Sequence, residues 1–282
     1  MNYYKKNNFV LVGKHGREFL VDIVVPETLV SSPVIVFAHG FKGFKDWGPF
    51  NIIADFFASK GFIFLKFNFA FNGTTLESPY DFDDLEAFGN NNFTKELDDL
   101  DVVIDWVTSN AARLNADISK LSLIGHSRGG GISILKGFED NRINKVVTWA
   151  SVAEFARHVS KKEIVSWKNS GVLLIENART KQMMPLYIQL YNDYVKHHRR
   201  FNIRNAVRNF SKPLLIAHGT NDDTVPFSHA VELSELNKMR SKLFAINGGG
   251  HTFGAAHPLE SDVLTAHFME VVIQTEIFLK TV

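Results

Sequence analysis

The residues best suited to chemistry in this chain are a serine set among glycines, Gly125-His126-Ser127-Arg128-Gly129. The segment fits G-x-S-x-G, a pattern that puts a serine on a sharp strand-to-helix turn with its hydroxyl exposed. A serine hydroxyl is a poor nucleophile until a base takes its proton, and the base needs an acid to fix its tautomer. Both follow downstream in the order serine, acid, base. Asp222 stands in His218-Gly219-Thr220-Asn221-Asp222-Asp223, and His251 stands in Gly248-Gly249-Gly250-His251. These residue types in this order suit attack on an acyl carbon, with Ser127 as nucleophile, His251 as general base and Asp222 as orienting acid. Asp223 competes with Asp222 for that role, and His257 is the alternative base. His39, His126 and His218 sit at strand ends and read as structural or supporting groups.

Acyl transfer builds a negative oxygen that two backbone N–H groups can meet. The amide of Arg128, directly after the serine, is one expected donor. The other is expected from the loop His39-Gly40-Phe41-Lys42-Gly43, with Phe41 N–H as the donor.

Short apolar runs alternate with longer amphipathic segments, and this arrangement must position these loops. Strands are predicted at 9–12, 19–25, 34–38, 62–67, 121–125, 146–150, 172–175, 214–217 and 242–246. Helices are predicted at about 49–59, from about Thr94 to 109, then at Arg128–Glu139, 229–239 and 260–280. Strands that alternate with helices imply βαβ units and a mainly parallel sheet. Residues 68–94, rich in Asn, Gly, Asp and Pro, read as a long loop. Its acidic run Asp81, Asp83, Asp84 and Glu86 lacks the pattern of a calcium loop and reads as solvated. The rhythm breaks between 151 and 209, which reads as an inserted cap on a core made of 1–150 and 210–282.

With 282 residues, 45% of them hydrophobic, the chain can bury a large core without staples. The 25 phenylalanines suggest an aromatic-rich interior. The absence of cysteine excludes thiol catalysis, disulfides and thiolate metal sites. A net charge of +1 gives no nucleic-acid footprint. The one basic cluster, residues 196–200, reads as a solvated helix end. No stretch has membrane-span length. Residues 1–8 are polar and are followed by no apolar core of signal-peptide length, so a cytoplasmic location is expected.

Together, His39-Gly40-Phe41 with Gly43, Gly125-His126-Ser127-Arg128-Gly129-Gly130, His218 to Asp222 with Val225-Pro226, and Gly250-His251 with Phe253 resemble the α/β-hydrolase superfamily. Within it they resemble the dienelactone-hydrolase-like and serine-aminopeptidase-like group, which includes cinnamoyl (feruloyl) esterases. The resemblance implies a mostly parallel central sheet flanked by helices, no cofactor, no metal, and an acyl-enzyme intermediate. It also implies a small cap that shapes the substrate pocket, for which Trp167, Met183, Met184, Tyr187 and Tyr191 are the candidates. The expected partner is a small-molecule ester, with neither nucleic acid nor membrane; a homodimer is left open. Cleavage of carboxylic esters leads. An aminopeptidase-like enzyme is the nearest rival and would need a carboxylate such as Glu163 or Glu176 for the substrate amine. A non-catalytic binding module on the same fold is the third reading. One departure stands out: such families often carry an Arg-Gly-His-Gly type loop where this chain has Asn68-Phe69-Ala70-Phe71-Asn72-Gly73.

Overall fold

The structure, a computed structural model, describes residues 2–155 and 160–281. The chain opens with β1 (Tyr3–Val12), β2 (Glu18–Pro26) and β3 (Ser32–Ala38), followed by α1 (Phe50–Ser59) and β4 (Ile63–Phe67). The short α2 (Leu85–Gly89), the long α3 (Phe93–Ser109) and α4 (Ala111–Leu114) lead into β5 (Ala116–His126), α5 (Arg128–Glu139) and β6 (Lys145–Trp149). Next come α6 (Lys161–Ser170), β7 (Val172–Glu176), β8 (Met183–Tyr187), α7 (Ile188–Lys196) and α8 (Ile203–Arg208). The chain closes with β9 (Leu214–Gly219), α9 (Ser228–Leu236), β10 (Ser241–Ile246) and α10 (Ala266–Lys280).

Eight strands form one sheet in the order β1-β2-β4-β3-β5-β6-β9-β10. β1 pairs with β2 and β2 with β4 antiparallel; every other neighbour is parallel. Apolar residues run continuously through the central strands because both faces are covered. In β3, Val34, Val36 and Ala38 face a core built with α3, α5 and α8, while Ile35 and Phe37 face a second core built with α1 and α10. The same two-residue alternation divides Leu214 and Ile216 from Leu215 and Ala217 in β9. Aromatic packing is dense on the second face: the Phe37 ring lies 4.5 Å from Phe50 and 5.7 Å from Trp149. Truncating a ring such as Phe37 to alanine would cost about 3–5 kcal/mol.

Several local expectations need correction. The 68–94 segment is not entirely loop, since Asp84 caps α2 by accepting from Ala87 N. Asp84 also pairs with Arg17, and Glu86 accepts from the Tyr187 hydroxyl, so part of the acidic run is structural. The next helix starts at Phe93, capped by Asn92, which accepts from Lys95 N, and the Thr94 hydroxyl binds Asp193. The closing helix starts at Ala266, where Thr265 supplies the cap, and not near 260.

Between β6 and β9, β7 and β8 form a small antiparallel sheet of their own, flanked by α6 and α7. Ser160 and Glu163 form a reciprocal capping box at the start of α6. α8, in contrast, buries Ile203, Ala206 and Val207 in the main core. Among the described residues, no helix is long and apolar enough to cross a membrane.

Candidate active site

The site begins with a forced turn. β5 ends at His126 and α5 begins at Arg128, leaving Ser127 alone to reverse the chain. It does so at φ 56° and ψ −119°, a conformation side-chain-bearing residues rarely adopt. Ser127 N–H donates to Trp149 O at 2.8 Å, and Ser127 O accepts from Gly130 N at 3.0 Å, so the strained backbone is fixed from both sides. Two glycines make the turn possible by absence of bulk. A Cβ on Gly125 would stand 2.2 Å from Gly129 O, and one on Gly129 would stand 2.3 Å from Ala38 O.

The loop after β10 brings His251 to this serine, with His251 Nε2 lying 3.1 Å from Ser127 Oγ. The loop after β9 brings Asp222, whose Oδ2 accepts from His251 Nδ1 at 2.8 Å. The structure thus joins the three side chains into one hydrogen-bonded chain. Asp222 is held hard. Its Oδ1 accepts from Thr224 N at 2.9 Å and Val225 N at 2.8 Å. His218 Nε2 lies 3.1 Å from Asp222 Oδ2 and 2.9 Å from Val225 O, so its proton is shared between them. Burial pushes the Asp222 carboxyl up, but the hydrogen bonds from His218 and His251 outweigh it and hold the group well below the usual carboxylate range. Asp223 is exposed and meets the Thr224 hydroxyl instead. His257 accepts from Gly48 N at 3.0 Å and packs against Phe44 and Trp47.

The other strand-end histidines brace the site. His126 Nε2–H donates to His251 O at 3.0 Å and so anchors the backbone of the base. Burial, then repulsion from His251, pushes its imidazole down to about 3, so it stays neutral. His39 links Gly40 O with Phe69 N and is pushed down to about 4, chiefly by burial.

Beneath the His39–Gly48 loop lies a buried quartet of alternating charges, Asp22, Lys45, Asp46 and Lys66. Lys45 Nζ meets Asp22 at 2.8 Å and Asp46 at 2.5 Å, and Lys66 meets both acids as well. Each charge has an opposite neighbour on two sides, which is what allows four of them to be buried. Phe41 and Arg128, the expected donors to a developing oxyanion, both line the cavity above Ser127. The Arg128 guanidinium sits over the Phe41 ring and pairs with buried Glu96 of α3 at 3.2 Å.

That cavity measures about 700 Å³. Beyond the residues already named, Trp47, Val152, Glu154, Phe155, Arg179 and His229 contribute to its walls. The expected pocket residues do not. Trp167 is buried and its Nε1 donates to Leu186 O at 2.8 Å. Met184 is fully buried in the core, whereas Met183 is 49% exposed at the surface. Tyr187 packs on Gly89 and bonds Glu86, and Tyr191 lies against Trp167. Trp167 and Met184 fill the interior of the β7–β8 unit and Tyr187 its contact with α2, and none of the five lines the cavity that holds Ser127. Sequence reasoning missed Glu96, Glu154, Arg179 and His229. Only Glu96 left a trace: it stands on the apolar stripe Phe93, Leu97, Leu100 of α3, where a lone acid needs a buried partner.

A mostly parallel sheet with a strained serine turn between a strand and a helix, and with acid and histidine in the loops after its last two strands, defines an α/β hydrolase. The chain belongs to the BD-FAE family, whose model matches residues 21–236. A protein of Mycoplasma pneumoniae that carries an esterase/lipase name is 24% identical over 239 residues, covering 77% of this chain and 81% of that one. A counterpart in Mycoplasma genitalium is 25% identical over 240 residues, covering 78% and 82%. Among solved structures, the α/β hydrolase GrgF of Penicillium sp. sh18 superposes with a TM-score of 0.74 at 15% identity, covering 99% of this chain and 98% of that one. Est1E of Butyrivibrio proteoclasticus, solved with ferulic acid bound, gives a TM-score of 0.69 at 18% identity, covering 96% and 97%.

Proposed function

We propose that this protein is a serine hydrolase that cleaves carboxylic esters of small to medium acyl or aryl substrates through an acyl-enzyme on Ser127. The observation that carries the reading is the unbroken path from Ser127 Oγ to His251 Nε2 at 3.1 Å, and from His251 Nδ1 to Asp222 Oδ2 at 2.8 Å. In this reading Ser127 Oγ attacks the acyl carbon while His251 Nε2 takes its proton. Asp222 steadies the imidazolium that results. The backbone N–H groups of Arg128 and Phe41 receive the negative oxygen. His251 returns the proton to the departing alkoxide and the alcohol leaves. Water then attacks the acyl-serine, with His251 as base, and releases the acid and free Ser127. The esterase/lipase names of the relatives and the family membership support ester cleavage.

The amide-cleaving alternative needs a carboxylate for a substrate amine. Glu163 is engaged in the α6 capping box, and Glu176 pairs with Lys181. Of the two carboxylates that line the cavity, Glu154 is already paired with Arg204, and Asp223 accepts from the Thr224 hydroxyl. The test is labelling with a fluorophosphonate probe beside hydrolysis of p-nitrophenyl esters and aminoacyl anilides. Labelling at Ser127, turnover of the esters, and loss of both in Ser127→Ala are expected. An unlabelled Ser127, or anilides cleaved in preference to esters, overturns the reading.

A further inference from the structure

One wall of the cavity carries a polar pair that the reaction leaves unused. His229, in the first turn of α9, accepts a hydrogen bond at Nδ1 from the backbone N–H of Ala153 at 3.0 Å. A nitrogen that accepts carries no proton, so the neutral ring must hold its proton on Nε2. Among the described residues no group meets that Nε2, and it is not sealed from solvent. The ring is half-buried and lines the cavity that contains Ser127. Burial pushes the imidazole below its ordinary value, which favours the neutral ring, and the bond from Ala153 N–H sets its tautomer.

Glu154, next to the Ala153 amide that fixes the ring, lines the same cavity. Its Oε2 is taken by Arg204, which is itself clamped by Glu232; its Oε1 meets no partner among the described residues. The same cavity is therefore lined by one oriented donor and by one carboxylate close enough to act on that imidazole electrostatically. A hydroxyl group answers both from a single atom, since its oxygen accepts and its hydrogen is donated.

We infer that His229 and Glu154 form a specificity subsite for a hydroxyl group on the ester, with His229 Nε2–H donating to the hydroxyl oxygen and Glu154 Oε1 accepting its hydrogen. This rests on Ser127 being the hydrolytic centre of the same cavity. The hydroxyl belongs either to the acyl part or to the alcohol part, and two matched pairs distinguish these sources. Ethyl butyrate against ethyl 3-hydroxybutyrate tests the acyl side. Propyl butyrate against 2,3-dihydroxypropyl butyrate tests the alcohol side.

The kcat/KM ratio of hydroxylated to plain ester is measured by pH-stat titration for the wild type, His229→Phe and His229→Gln. The wild type is expected to favour the hydroxylated ester of one pair by about tenfold, the size of one or two net hydrogen bonds. In His229→Phe, which lacks the donor, that ratio should fall toward one. In His229→Gln, whose amide restores a donor, most of it should return. A wild type that cleaves the plain esters without preference in either pair overturns the inference, and so does an unchanged ratio in His229→Phe. Equal loss on both esters of a pair marks a structural role for the ring and also overturns it. Plain esters left uncleaved by the wild type instead bring down the hydrolytic reading beneath it, which the first measurement separates from the rest.

Discussion

The guanidinium of Arg128 lies 3.8 Å from the centre of the Phe41 ring, so the residues on either side of the serine site grip one another through their side chains. Their backbone N–H groups are the proposed oxyanion donors, and the contact couples the loop after β3 to the first turn of α5. The grip is braced from behind by Glu96, whose Oε1 stands 3.2 Å from Arg128 Nη1. A cation over a ring, desolvated and ion-paired, contributes more than one left in water.

Removing the brace should leave Arg128 as a buried charge with no counterion. Glu96→Ala is expected to lose about 3–5 kcal/mol of stability, as broken buried pairs do. Urea unfolding measures it, and a change below about 1 kcal/mol would mean that Arg128 finds another partner.

The two adjacent aspartates should behave very differently. Asp222→Asn is expected to lower kcat by about 10⁴-fold, by the measure of other triads, because its amide can no longer hold the His251 tautomer. Asp223→Asn, exposed and bonded to the Thr224 hydroxyl, should stay within a few-fold of wild type. Steady-state kinetics on a p-nitrophenyl ester decides, and the reverse ranking would reassign the acid.

The tightest steric demand is at the turn itself. In Gly125→Ala the new methyl would stand 2.2 Å from Gly129 O, and both positions are backbone that cannot swing aside. A loss of several kcal/mol is expected, comparable to severe overpacking. Thermal denaturation followed by circular dichroism reads it; a melting temperature within a few degrees of wild type would show that the turn yields.

Asp99 gives the fold a pH-dependent cost. Its carboxyl is fully buried on α3, accepts from Ala70 N at 2.8 Å, and is pushed up to about 8 by burial, with repulsion from Glu96 and Asp98 and a counterpull from Lys95. The folded pKa lies above the unfolded value near 3.8. The folded chain therefore holds a proton that the unfolded chain releases, and stability falls as pH rises from about 4 to about 8. Asp99→Asn mimics the neutral acid and removes this dependence. Its advantage over wild type should grow by about 1.4 kcal/mol per pH unit between pH 5 and 8, then level off. Paired urea titrations across that range check it, and a constant difference would place the titration elsewhere.

Much of this architecture was legible before any coordinates, for identifiable reasons. The helix at Arg128–Glu139 matches its expected bounds because a glycine-rich turn opens it and its apolar spacing is regular. Ser127 and Asp222 could be picked out because they follow the buried ends of β5 and β9, where apolar runs are easiest to see, and His251 because a glycine run precedes it after the half-exposed edge strand β10. The pocket walls were not legible. Trp167 and Met184 show the apolar pattern of buried residues, but that pattern marks interior, not access to a particular cavity. Glu154 and His229 carry no local signal, since their role depends on the loop after β6 meeting the start of α9, segments that lie far apart in the chain. α2 was hidden by the polar residues around it, one of which, Asp84, is the cap that makes it.

The backbone at position 127 has a wider meaning for the molecule. Its φ of 56° is a conformation glycine adopts freely and serine does not, and it is locked by backbone hydrogen bonds to the next strand and the next helix turn. A glycine there would make a sturdier and idle protein. Every copy that folds must therefore accept a small permanent weakness at its centre in order to present its hydroxyl already aimed.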